Sequence, residues 1–159
     1  MRKAILILLA LAVMAPAARG KAEHYGHHEL PFAFKCYEGW ERVPRPGDEG
    51  TSEWINPPGT MRVLLWMTST EQSPGRYLAK MADMKGLESA GDDPDTVATR
   101  GPGALVLESP GTLLGVLHVG MSEERPRENI LYIIQVICQP ERHEEEREFM
   151  HELVGSVRT

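Results

Sequence analysis

The run Ile130-Leu131-Tyr132-Ile133-Ile134-Gln135-Val136-Ile137-Cys138 is the longest apolar stretch outside the N-terminus, and it limits the folds open to this chain. β-Branched and aromatic residues dominate it, which predicts a strand. Its even positions are all apolar and so are its odd ones except Gln135, so both faces of that strand must be buried. A central strand covered from two sides meets that demand. The acidic segment after it supplies one cover: over Glu141–Val157, residues Phe149, Met150, Leu153, Val154 and Val157 fall on one helical stripe.

The second cover is predicted at Pro74–Ala90. Ser73 is a suitable N-cap, Pro74 suits the first helical position, and Tyr77, Met81, Met84 and Leu87 recur at three- and four-residue steps. That spacing favours core packing for Met81 and Met84 over a copper-binding stripe. Gly91 is placed to end the helix, while Gly86 inside it costs about 1 kcal/mol relative to Ala. Alternation and turn residues predict strands at Pro31–Cys36, Arg42-Val43, Thr51–Ile55, Met61–Ser69, Thr96–Arg100, Ala104–Glu108 and Thr112–Met121. The tight Ser109-Pro110-Gly111 connection makes the last two an antiparallel hairpin. Gly91-Asp92-Asp93-Pro94-Asp95 lacks the spacing of a calcium loop and reads as a solvated turn. The expected class is α+β: an antiparallel sheet of about six to seven strands flanked by two helices, an α/β/α-type sandwich.

The N-terminus carries a different signal. Met1-Arg2-Lys3 is basic, Ala4 to Met14 is apolar, and Ala15-Pro16-Ala17-Ala18-Arg19-Gly20 offers small-x-small cleavage sites. Residues 1–20 are therefore expected to be a signal peptide, since an apolar run of about 11 residues falls short of the ~20 that span a bilayer. The expected division is 1–20 leader, 21–30 a His-containing tether, and 31–159 a single domain, with a secreted or periplasmic destination. Removal of Arg2, Lys3 and Arg19 leaves 14 basic against 23 acidic residues, a formal charge of about −9. Nucleic acid is excluded on that ground, because polyanion binding needs clustered Lys and Arg. Anionic membrane surfaces are disfavoured for the same reason.

Two cysteines in an exported chain lead to the expectation of a Cys36–Cys138 disulfide, which would tie the start of the domain to its last strand. His24, His27 and His28 are candidate ligands for Cu or Zn, although a structural zinc site needs a fourth ligand and a fold to hold it. His143-Glu144 and His151-Glu152 each begin like a zincin helix, but Arg147 and Gly155 stand where the second His belongs. There is no Gly-x-Ser-x-Gly, no Walker loop and no dinucleotide fingerprint, so neither an enzyme nor a cofactor is expected. His118 reads as a core histidine within an apolar strand; a competing hydrolase reading needs it paired with a carboxylate.

Phe32-Ala33-Phe34-Lys35, Glu38-Gly39-Trp40 and the closing Phe149…Leu153…Ser156-Val157 resemble the PsbP-like superfamily, from Pro31 to the C-terminus. Members often have Pro before Glu-Gly-Trp, where this chain has Tyr37. The resemblance implies an antiparallel sheet flanked by helices and a non-catalytic binding or assembly role. It carries over no active-site residues. Together with the signal peptide and the missing catalytic motifs, it leads to the expectation that the partner is another envelope or extracellular protein.

Overall fold

A computed structural model describes residues 21–26, 33–45, 47, 50–85 and 104–157. In chain order these form β1 (Ala22–Gly26), β2 (Ala33–Tyr37), β3 (Glu41–Val43), β4 (Thr51–Ile55), β5 (Met61–Thr70), α1 (Pro74–Met84), β6 (Ala104–Ser109), β7 (Thr112–Met121), β8 (Asn129–Cys138), a 3-10 turn (Pro140–Arg142) and α2 (His143–Gly155). Six strands make one open antiparallel sheet, ordered β3-β4-β5-β8-β7-β6, and β1 pairs with β2 in a separate ribbon. The predicted strand Thr96–Arg100 and the end of the first helix, residues 86–90, lie outside the described residues.

The apolar run holds the position its two buried faces require. β8 lies between β5 and β7, with Val136 opposite Val63 on one side and Leu113 on the other. Tyr132, Ile134, Val136 and Cys138 pack with Met61, Val63, Leu65 and Leu113 beneath Phe149, Met150, Leu153 and Val154 of α2. Leu131 and Ile133 face the opposite way and join Leu107, Leu114 and Val116 beneath Leu78 and Ala82 of α1. Each alternating half of one strand thus feeds a different core, and the two helices cover opposite faces of the sheet.

Local signals set the joints. Ser73 caps α1 by accepting from the Arg76 amide at 3.4 Å, with Pro74 at its first position. Pro110-Gly111 closes the β6–β7 hairpin, and Gly111 takes φ +78°, a conformation that excludes most side chains. A Cβ at Gly115 would lie 2.5 Å from Val154 Cγ1, so this glycine is what lets α2 settle onto β7. The buried stripe of α1 is Gly75, Leu78 and Ala82. Tyr77 and Met81 flank it, whereas Met84, expected in the core, is 69% exposed at the last helical position.

Two further expectations are corrected. Lys21 to Leu30 was expected to be a tether, but Ala22–Gly26 is a strand in register with Ala33–Tyr37, and the Glu38 amide donates to the Lys21 carbonyl at 2.9 Å. Cys36 and Cys138 are not bonded to each other. Cys36 belongs to the β1–β2 ribbon, where its thiol lies 3.8 Å from the Tyr37 carbonyl. Cys138 is in the main sheet with its thiol against Met150 Sδ at 3.6 Å, and burial pushes that thiol's pKa up. The ribbon packs across α2 instead of continuing the sheet, so the two strand ends are not neighbours in a ladder.

Candidate functional site

The densest polar cluster forms where α2 crosses the edge of the sheet. In β6, Val106 and Glu108 share the face that packs under α2, since Val106 is opposite Gly115 and Glu108 opposite Leu113. Glu108 thus puts a carboxylate where alternation calls for an apolar side chain. Along α2, His143, Arg147 and His151 recur every fourth residue on one face. All three converge on Glu108.

His143 Nε2 lies 2.9 Å from Glu108 Oε1, and His151 Nε2 lies 2.9 Å from Oε2. Arg147 grips both oxygens, Nε donating to Oε1 at 2.5 Å and Nη2 to Oε2 at 3.1 Å. Burial by itself would raise the Glu108 pKa, but the hydrogen bonds from Arg147, His151 and His143 outweigh it and hold the carboxyl at about 2. An ionised carboxylate only accepts, so both imidazoles carry their proton on Nε2. His143 Nδ1 is then buried with no hydrogen-bond partner among the described residues.

This arrangement suits attachment better than proton transfer. Four donors occupy the carboxylate, and a group held near pKa 2 is a poor base at neutral pH. Between described residues, the imidazole hydrogen bonds of His143 and His151 both go to Glu108 and neither to a hydroxyl or thiol. His118, expected in the core, is exposed next to a register shift between His118 and Gly120. It is still in register, opposite Leu131 and on the face of Leu114 and Val116, but its side chain is exposed there. Of the candidate metal ligands, His24 is in β1 opposite Lys35, and His27 and His28 lie outside the described residues. Among the described residues no group of three or more His, Cys, Asp or Glu is placed to hold a metal ion.

A second polar junction clasps the ribbon to the end of α2. The Lys35 amide donates to Ser156 Oγ at 2.9 Å, and that hydroxyl donates to the Leu153 carbonyl at 2.6 Å. Glu152 accepts from Lys35 Nζ and from the Tyr37 hydroxyl, the latter at 2.9 Å. Burial, then the bond to Glu152, raises the Tyr37 pKa, and the bond to Glu152 raises that of Lys35. Phe149 sits edge-on to both Tyr37, at 5.1 Å, and Trp40, at 6.4 Å. Lys35, Trp40, Phe149, Leu153 and Ser156 of the three motifs are distant in the chain yet meet at this junction, and Tyr37 fills part of it.

On the opposite sheet face Glu53 is buried between Arg45, at 2.9 Å, and Arg62. Among the described residues no helix is long and apolar enough to cross a membrane.

The elements define an α+β protein with an open antiparallel sheet between two helices and a terminal ribbon clasped to one of them. The fold is PsbP-like. The chain is similar to the solution structure of cyanobacterial PsbP (CyanoP) from Synechocystis sp. PCC 6803, with a TM-score of 0.53 and 12% identity over 94% of this chain and 98% of that one. No family model and no curated protein matches the chain.

Proposed function

We propose that this chain is an exported, non-enzymatic domain that binds or supports another envelope or extracellular protein. The observation that carries the reading is the state of Glu108: a carboxylate with four donors on its two oxygens serves as an anchor for α2 and is not available as a catalytic base. The basic, then apolar, then small-residue order of 1–20 supports export to the periplasm or beyond.

The test has two arms. The purified mature protein is assayed against a hydrolase substrate panel beside His118→Ala and Glu108→Gln; no turnover above buffer is expected, and turnover lost in either variant refutes the non-enzymatic reading. Tagged chain is crosslinked in intact cells and recovered from the envelope fraction. One stoichiometric partner that also recovers this chain when tagged in turn is expected. Recovery of the chain from the cytosol with residues 1–20 still attached refutes the compartment.

A further inference from the structure

Five of the six methionines of the described residues are either buried or well exposed, and Met81 of α1 is intermediate. Met61 and Met150 are 1% and 0% exposed, one in β5 and the other in α2, and Met150 Sδ faces the Cys138 thiol inside the core. Met84, Met121 and Met67 are 69%, 49% and 41% exposed. Their positions explain this. Met84 is the last residue of α1, beyond the helix's contact with the sheet, and Met121 ends β7 opposite Asn129. Met67 is opposite Tyr132, one same-face row past the Leu65–Ile134–Gly115 row, where Val154 of α2 meets the sheet. Val119, 36% exposed, is in the same bulged stretch as Met121; Met67 shares the sheet face under α2 and Met121 the face under α1, so the exposed sulfurs are separate sites.

A thioether is the most readily oxidised group that an exposed apolar surface offers, and its sulfoxide is polar. We propose that Met67, Met84 and Met121 are the most peroxide-reactive methionines of the described residues, and that oxygen uptake at these sulfurs turns the largest exposed apolar side chains of the surface polar. In the step, a sulfur lone pair attacks one oxygen of hydrogen peroxide. The S–O bond forms as the O–O bond breaks, the sulfur loses two electrons, and the other oxygen leaves as water after proton transfer. The core sulfurs take no part, because peroxide reaches neither Met61 nor Met150 while the fold is intact. Exposure orders the reactive sites as Met84, then Met121, then Met67.

The mature protein is treated with hydrogen peroxide at neutral pH after its thiols have been blocked, and peptides are mapped by mass at intervals. Met67, Met84 and Met121 are expected to convert at least about tenfold faster than Met61 and Met150. Retention on a hydrophobic-interaction column falls in step, and methionine sulfoxide reductases restore it. A variant carrying Met67→Leu, Met84→Leu and Met121→Leu keeps its retention through the same treatment. Circular dichroism before and after treatment confirms that the fold is intact at each time point. Comparable conversion of Met61 or Met150 in the folded protein overturns the assignment, as does retention that falls equally in the triple variant.

Discussion

Glu108→Gln keeps the size and shape of the side chain but removes its charge, and it replaces one acceptor oxygen by a donor that faces Arg147 or an imidazole. With the folded carboxyl held at about 2 against an ordinary 4.5, the gap corresponds to roughly 3 kcal/mol of preference for the ionised form in the folded state. Arg147 is 43% exposed, so solvent screening brings the expected value nearer 2 kcal/mol. The sign follows from the depressed pKa: between about pH 4.5 and 2 the unfolded chain binds the proton that the folded one refuses. The contribution is therefore complete above pH 4.5 and disappears as pH falls toward 2. Urea unfolding at pH 7, 5, 4 and 3, with circular dichroism and tryptophan fluorescence as coincident probes, measures wild type against Glu108→Gln. The expected result is a wild-type advantage of about 2 kcal/mol at pH 7 and 5 that narrows at pH 4 and 3, with unchanged denaturant slope. Using the difference removes the titration shared by the remaining carboxylates. An advantage independent of pH, or below about 0.5 kcal/mol at pH 7, would refute the account of Glu108 as a charged anchor.

Gly115→Ala sets a Cβ 2.5 Å from Val154 Cγ1 and should cost about 1–3 kcal/mol by thermal or urea unfolding, with loss of amide protection centred on α2. Ser73→Ala removes the N-cap of α1 and should cost about 1 kcal/mol, since the Arg76 amide loses its acceptor. Alkylated intact mass of freshly isolated exported protein should be the same with and without prior reductant; a difference of two alkyl groups would establish the Cys36–Cys138 bond that the structure does not form. Zinc and copper calorimetry should give equal heats for the mature protein and a His24→Gln, His27→Gln, His28→Gln variant, and a binding event lost in the variant would restore the metal reading. Substitution is the right control here, because deleting residues 21–30 would also remove β1.

The features that could be read in the sequence are those decided locally. The two-faced apolar run became the central strand, because no edge position buries both sets of side chains. Ser73-Pro74 and Pro110-Gly111 carry their own geometry and landed where expected. The sequence hides what depends on distant partners. Ala22–Gly26 has no apolar period, and it becomes a strand only through its ladder with β2. The four-residue spacing of His143, Arg147 and His151 is visible in the chain as a zincin helix that fails. Its meaning emerges only when α2 crosses β6 and brings the spacing onto Glu108. One clue was available: Glu108 shares an alternating face with Val106, so an acid stood where a core residue was due, and such an acid requires donors from whatever covers that face. His118 is a different case: its strand is apolar and its register regular, yet its side chain is exposed, so an apolar strand alone does not place a residue in the core.

The bonds from Lys35 to Ser156 and Glu152, and from Tyr37 to Glu152, join residues more than a hundred positions apart. A chain delivered N-terminus first therefore presents β1 and β2 long before their clasp exists, and the ribbon waits, unsecured, until the last helix has been made. Loop closure on that scale slows folding and leaves apolar Phe34 and Tyr37 uncovered in the interval. A chain that stalls short of Glu152 would hold the main sheet's strands complete yet lack the clasp, with β2 as its first sticky surface.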